Sequence, residues 1–278
     1  MGAELQDLIQ FVTRYRRLTV LTGAGVSTGS GIPDYRDHNG DWKRPAPVQY
    51  RAFVSQEATR QRYWARSLVG WIRFSEARPN TAHRALAAME RLGHIRQLLT
   101  QNVDRLHQQA GSRQVLDLHG RLDRVVCLDC GALTARALLQ EQMASDNPEF
   151  ARLAAEVGPD GDAELAGIDY GGFRVPGCSR CGGNLKPDVV MFGETLPRAR
   201  VTAALDALLA SDALLVIGSS LMVYSGFRFC RVAAEHGLPI AAINRGRTRA
   251  DDLFSLKIDA PCEQVLPPLA ATLAGSDT

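Results

Sequence analysis

Leu5, Leu8, Ile9 and Val12 fall at i, i+3, i+4 and i+7, which predicts an amphipathic helix at the start of the chain. A short apolar run, Leu18 to Leu21, follows and enters Gly23-Ala24-Gly25; this is a strand closed by a glycine turn. Asn80 or Thr81 is placed to cap a helix whose apolar side is Ala82, Leu86, Met89 and Leu92. Further strands are predicted at Ile95 to Thr100, Val115 to Leu118, Ala213 to Ile217 and Ile240 to Ile243. Val189 to Phe192 is extended, and Cys262 ends one more candidate strand. Val201, Ala204, Leu205 and Leu208 mark a helix, and another runs through Phe229 to His236. The alternation is that of an α/β fold with a Rossmann-like parallel sheet.

Two stretches break the alternation. Residues 38–78 carry arginines and aromatics at helical but untidy spacing and read as a helical insertion. Residues 121–185 hold two C-x-x-C pairs with no clear strand–helix alternation, and 47 residues separate the pairs. That spacer includes the acidic, glycine-containing stretch Gly158 to Asp162, which reads as a long inserted loop. The expected division is a Rossmann-like domain over 1–37, 79–120 and 186–278, a helical insertion over 38–78, and a zinc-binding module over 121–185.

Composition changes this picture little. The chain has 278 residues, 45% of them hydrophobic, enough for a sizeable core. A net charge of +2 makes no case for nucleic acid or an anionic membrane. The N-terminal stretch lacks a basic start and carries acids early, unlike a signal or transit peptide. No apolar run approaches the ~20 residues that span a bilayer. A cytoplasmic protein, monomeric and without nucleic-acid or membrane partners, is the expectation.

Candidate chemistry collects at the strand ends, which carry GAG, QNVD, HG, GSS and NRG. In an open parallel sheet ligands bind beyond the carboxyl ends of the strands, so five polar or glycine-rich ends point to one crevice. Gly23 and Gly25 suit close approach of a pyrophosphate. The third glycine of the usual dinucleotide fingerprint is displaced: Thr28 stands in its place, and Gly29 comes one later. The stretch into Ile32-Pro33-Asp34-Tyr35-Arg36 therefore resembles a mobile cap more than the first turn of a long helix. The displaced glycine also disfavours a dehydrogenase, as does the lack of an acidic residue ~20 residues on from the turn in the expected strand end. Gln101, Asn102 and Asp104 read either as a polar turn or as partners for a carboxamide and ribose hydroxyls. His119 reads as a packed histidine or, from its place between a ligand-facing strand and the cysteine module, as a general base; its ordinary pKa of ~6.5 suits that work. Cys127, Cys130, Cys178 and Cys181 can close a thiolate tetrahedron around zinc, structural because no position is left open. Lys186-Pro187-Asp188 opens an internal strand or an edge to which a peptide can be added.

Taken together, GAGVSTGSGIPDYR, TQNVDRLH, LHG, the two C-x-x-C pairs, KPDVVMFGE, GSSLMVYS and INRG resemble the sirtuins, the NAD-dependent protein-lysine deacylases. The resemblance covers nearly the whole chain. RYWARSLVGW, CLDCG and the long loop before Cys178 are most similar to the class II branch, which includes the mitochondrial lipoamidase-like sirtuin. The arginine-rich make-up suggests a bacterial member.

The resemblance implies residue roles. Gly23, Ala24 and Gly25 would approach the pyrophosphate of NAD, with Arg36 nearby. Ile32, Asn102 and Asp104 would line the nicotinamide pocket, Tyr35 would shield the reacting carbon, and Gln101 would bind the nicotinamide ribose. Gly218, Ser219, Ser220, Asn244, Arg245, Gly246 and Cys262 would hold the adenosine half. His119 would be the base, with Asn102 beside it in catalysis. Val190, Phe192 and Gly193 on one side, with Val223 on the other, would sandwich an acyl-lysine substrate as an added strand. Tyr63 and Arg66, at i and i+3, would meet a dicarboxylic acyl group or are surface residues. Tyr35 replaces a common Phe, and Tyr224-Ser225 stands where many members have a proline, which bears on the peptide clamp. The implied products are free lysine, nicotinamide and O-acyl-ADP-ribose. The competing functions are protein ADP-ribosyl transfer and an NAD-sensing scaffold with little turnover.

Overall fold

The computed structural model describes residues 2–45, 47–156, 158–165 and 167–276. In chain order the elements are α1 (Gly2–Arg14), β1 (Leu18–Thr22), α2 (Tyr50–Ser55), α3 (Glu57–Glu76), α4 (Thr81–Arg91), β2 (Ile95–Thr100), α5 (Leu106–Gln109), β3 (Val115–Asp117), β4 (Gly120–Cys127), β5 (Leu133–Ala135), α6 (Arg136–Asp146), α7 (Pro148–Ala151), β6 (Leu185–Val189), α8 (Arg198–Leu209), β7 (Ala213–Ile217), α9 (Tyr224–Glu235), β8 (Ile240–Ile243), β9 (Leu256–Ile258) and α10 (Cys262–Ser276). The chain forms two compact units, one of Met1–Arg44, Arg78–Leu118 and Leu196–Thr278, the other of Pro45–Ala77 and His119–Thr195.

The first unit is built on a six-stranded sheet in the order β3-β2-β1-β7-β8-β9, parallel throughout. Counted within the sheet this is 3-2-1-4-5-6, so the order reverses between β1 and β7. Side chains alternate across the sheet, and both faces are covered. Ala213, Leu215 and Ile217 join Leu18, Val20 and Leu98 under α1, α4 and α10. Leu214 and Val216 join Leu21 and Leu99 under α8 and α9. Burial on both faces explains why these strands read as continuous apolar runs rather than as alternation.

Local signals set the helix ends. The Asn80 side chain accepts from Ala82 and His83 amides at the start of α4, a cap of about 1 kcal/mol. After β1 the chain makes two 3-10 turns, Ala24–Val26 and Thr28–Ser30, and no long helix. The C-terminal cysteine differs from expectation: Cys262 is the first residue of α10, not the end of a strand. The strand predicted there is β9, which closes four residues earlier, and a bend at Ala260 followed by Pro261 separates the two.

The second unit joins the helical insertion to the cysteine-bearing segment. Its sheet is antiparallel, β5-β4-β6, so β6 is an edge strand. Residues 186–195 thus group with the cysteines, where the sequence pattern placed them with the parallel sheet. The core of this unit is aromatic: Phe53, Tyr63, Trp64 and Phe173 pack with Leu139, Met143 and Leu185. Arg136 is buried there, its guanidinium 4.9 Å from the Trp71 ring centroid and its Nη2 donating to Ser67. The acidic loop is not a solvated excursion. Asp162 is buried, and Ala163 and Arg66 exchange bonds, N–H to carbonyl at 3.0 Å and Nε to carbonyl at 2.8 Å.

Candidate active site and zinc centre

At the reversal of strand order, two turns lean on each other. Gly23 donates its amide to Ile217 and Gly25 donates to Gly218, at 3.1 and 2.8 Å. Gly218 has φ 58°, and a Cβ there would lie 2.4 Å from the Val26 nitrogen. A side chain is excluded by both conformation and space. The amides of Gly23 and Gly25 are therefore spent within the fold. Their value is backbone-to-backbone approach, not the supply of N–H groups that the motif alone suggested.

The end of β2 meets this turn. Asn102 Nδ2 donates to the Gly23 carbonyl at 3.1 Å and to Ser27 Oγ at 3.0 Å. Ser27 Oγ donates to Asp104 Oδ2 at 2.7 Å, and Leu106 N–H donates to Asp104 Oδ1. Burial is the largest influence on Asp104 and raises its pKa against these two bonds. Gln101 Nε2 donates to Ser219 Oγ at 2.8 Å, tying the QNVD end to the GSS end. Ile32 is buried behind Ser27, whose carbonyl accepts its amide. Tyr35 packs edge-on to Trp42, and the Arg36 guanidinium lies 3.9 Å from the Trp42 ring centroid while donating to the Gly40 carbonyl. Ala24 and Ser220 sit on the two leaning turns, and Val223 precedes α9 with 37% exposure. Asn244 is buried after β8 and donates to the Arg245 carbonyl; the Gly246 amide donates to Asp259. Cys262 is buried, and burial pushes its thiol up to about 12, so it is an inert packing group.

Several groups here escaped the sequence reading. Thr22 Oγ1 donates to Thr100 Oγ1 at 2.9 Å, and Thr100 Oγ1 also accepts the Asn102 amide at 3.1 Å. His107 Nε2 lies 2.9 Å from Thr22 Oγ1 and serves as its donor. Asn80 caps α4 and also donates to the Val26 carbonyl, and Glu263 accepts the Gly29 amide. The signal available was positional: Thr22 and Thr100 each end a strand one residue before a site residue.

The second unit carries the remaining candidates. His119 is half-buried just ahead of β4, and its carbonyl accepts the Val190 amide at 2.8 Å. Val190 continues the β6 edge. Phe192 forms a parallel bridge with Gln49, and its carbonyl accepts the Tyr50 amide. Gly193 is exposed with φ 79° in the turn that follows. Lys186, buried on β6, holds Glu194 at 3.0 Å, and Glu194 in turn accepts the Met191 amide. Tyr63 is 5% exposed in the aromatic core, and Arg66 is half-buried with its Nε committed to Ala163.

The four cysteine sulfurs lie within 4.8 Å of one another. Cys127 and Cys181 are 3.5 Å apart, Cys130 and Cys178 3.8 Å. A zinc tetrahedron with Zn–S of ~2.3 Å has S–S edges of ~3.8 Å, so the donor set fits zinc in both identity and size. Each turn closes alike: Gly131 donates to the Cys127 carbonyl and Gly182 to the Cys178 carbonyl, with φ of 70° and 77°. With four thiolates the site is structural.

A family model described as "Sir2 family" matches residues 23–225. The chain belongs to the Sir2 family. This sirtuin is 60% identical over 261 residues to NAD-dependent protein deacetylase 2 of Bradyrhizobium diazoefficiens, covering 94% of the chain and 96% of the relative. It is 61% identical over 265 residues to an NAD-dependent protein deacetylase of Xanthomonas campestris pv. campestris strain 8004, covering 95% and 89%. Among solved structures, one described as Sir2 with a p53 peptide and NAD+ superposes with a TM-score of 0.79 at 26% identity over 99% of each chain. Another, described as a basis for the mechanism and regulation of Sir2 enzymes, gives 0.76 at 30% identity over 99% and 100%. Among the described residues, no helix is long and apolar enough to cross a membrane.

Proposed function

We propose that this sirtuin is an NAD-dependent protein-lysine deacylase that acts on acetylated lysine and releases nicotinamide and O-acyl-ADP-ribose. The observation that carries the reading is the chain of hydrogen bonds joining Gly23, Asn102, Ser27 and Asp104 at the reversal of strand order. It agrees with the deacetylase activity named for relatives at 60% identity.

Bound NAD would supply the ribose carbon to which the acyl oxygen adds with loss of nicotinamide. Asn102, Asp104 and Ile32 shape the pocket for the nicotinamide ring, and Asn102 is oriented by its bonds to Gly23 and Ser27. Gln101 holds the adjoining ribose, and Ser219, Ser220, Asn244, Arg245 and Gly246 hold the adenosine half. His119 is the base, taking a proton from the ribose hydroxyl system so that the acyl group can move to it. Its carbonyl accepts the Val190 amide, which fixes its main chain beside the β6 edge. In the second unit Val190, Phe192 and Gly193 would offer an extended edge to the substrate backbone, and in the first unit Val223 has an exposed apolar side chain.

Acetyl is the favoured acyl group because Arg66 has its Nε spent on Ala163 and Tyr63 is buried. A panel of acetyl-, glutaryl- and lipoyl-lysine peptides with NAD, read by mass, tests this. The acetyl peptide is converted fastest, with one nicotinamide and one acetyl-ADP-ribose per lysine freed. A peptide or protein that instead gains the mass of ADP-ribose, or a glutaryl peptide converted faster, contradicts it.

A further inference from the structure

The start of α9 presents an exposed tyrosine with arginines gathered on it. Tyr224 is 47% exposed beside Val223. The Arg228 and Arg249 guanidiniums lie 5.2 and 5.9 Å from its ring centroid, and Arg231 Nη1 donates to its hydroxyl at 3.4 Å. Arg249 also lies 4.5 Å over Phe227 and donates to the Met222 carbonyl. Two segments, α9 and the turn after β8, thus converge on one aromatic group.

These charges are held but not neutralised. Aromatic faces orient a guanidinium plane and leave its outer N–H groups available for carboxylates. Of these three arginines, only Arg231 has a carboxylate partner among the described residues, Glu235 at 3.0 Å. Residues 224–250 contain five arginines and one glutamate, a net +4 in a chain whose total is +2. The remainder of the chain is therefore net negative, and the positive charge is local.

We propose that this surface docks acidic residues flanking the acylated lysine of the substrate protein. The inference rests on the reading that Val223 holds the substrate backbone; Tyr224 is the next residue, standing where many family members have a proline. An extended peptide advances ~3.3 Å per residue, so acids a few positions from the lysine come within reach of the cluster. Acidic peptide is favoured over nucleic acid because the arginines surround one ring instead of forming a track with successive stacking platforms. Exposed pairs are individually weak and screened by salt, and the two from Arg228 and Arg249 together give up to about a tenfold effect.

The test uses the full chain with NAD and two acetyl-lysine peptides, one flanked by Asp and Glu, the other by Asn and Gln. At about 50 mM salt the acidic peptide has a KM about tenfold lower at equal kcat, and at about 500 mM the difference disappears. The double variant Arg228→Gln/Arg249→Gln loses the preference, with kinetics on the neutral peptide and the KM for NAD unchanged. Arg249→Lys alone, which keeps the charge, retains most of it. Equal KM values in the wild type, or a preference that survives in the double variant, overturn the proposal. So does tighter binding of single-stranded DNA than of the acidic peptide. If neither peptide is turned over, the deacylase reading fails, and binding of the same labelled peptides by fluorescence polarisation still decides the docking.

Discussion

His83 and His107 lie behind the site with ring centroids 4.8 Å apart, 0% and 1% exposed. His107 supports Thr22, Thr22 supports Thr100, and Thr100 accepts the Asn102 amide. Among the described residues His83 Nε2 and His107 Nδ1 have no hydrogen-bond partner, so neither ring has an acceptor for an added proton. Burial lowers both pKa values, that of His83 to about 4, with Arg84 adding to it, and that of His107 well below the ordinary value. The unfolded chain takes up these protons near pH 6.5 while the native state refuses them. Their contribution to stability is therefore full above about pH 6.5 and is lost as pH falls from there toward 4. His83 alone removes ~2 kcal/mol between pH 7 and pH 5. Urea unfolding of the wild type and His83→Asn at the two pH values checks this: the wild type has the steeper loss, and equal slopes contradict the assignment. None of this was legible in the sequence. A histidine in TAHRAL and another in RLHQQ give no hint of meeting, because contact between α4 and α5 is made by the fold.

At the scale of elements, the strands were legible and the second unit was not. Apolar runs such as Ala213 to Ile217 identify themselves because burial on both faces leaves no polar position. The antiparallel strands lack that signature. The middle strand, β4, alternates in burial from Gly120 to Cys127, and at the edge Lys186 and Asp188 are held in β6 by Glu194 and Arg124. Asp162 read only as part of a long inserted loop, yet that loop docks where Gly70 leaves room; a Cβ there would lie 2.2 Å from the Gly161 carbonyl. The cysteines were legible because C-x-x-C spacing is itself a geometric statement. Metal analysis is expected to find one zinc per chain. Removing it with a chelator leaves four thiolates without a centre and loosens β4 and the 178–183 turn, read as faster hydrogen exchange there than in β1 and β7. Unchanged exchange in the second unit after complete zinc loss contradicts a structural role.

For the molecule as a whole, the first unit carries Gly23, Asn102, Asp104 and Ser219 at the ends of its parallel strands, and the second carries His119 and the β6 edge. The sequence motifs assigned each residue to a role through family likeness; the structure adds which of them are bonded to one another within each unit. The surroundings of Arg66 were not legible, because its bond to the Ala163 carbonyl is made by a loop distant in sequence. The most direct measurement is single-turnover nicotinamide release and peptide deacetylation by His119→Tyr beside the wild type, with NAD affinity measured by calorimetry. The expected result is NAD affinity within a few-fold of wild type and deacetylation reduced ~10²–10⁴-fold. A His119→Tyr variant that deacetylates at the wild-type rate contradicts the account.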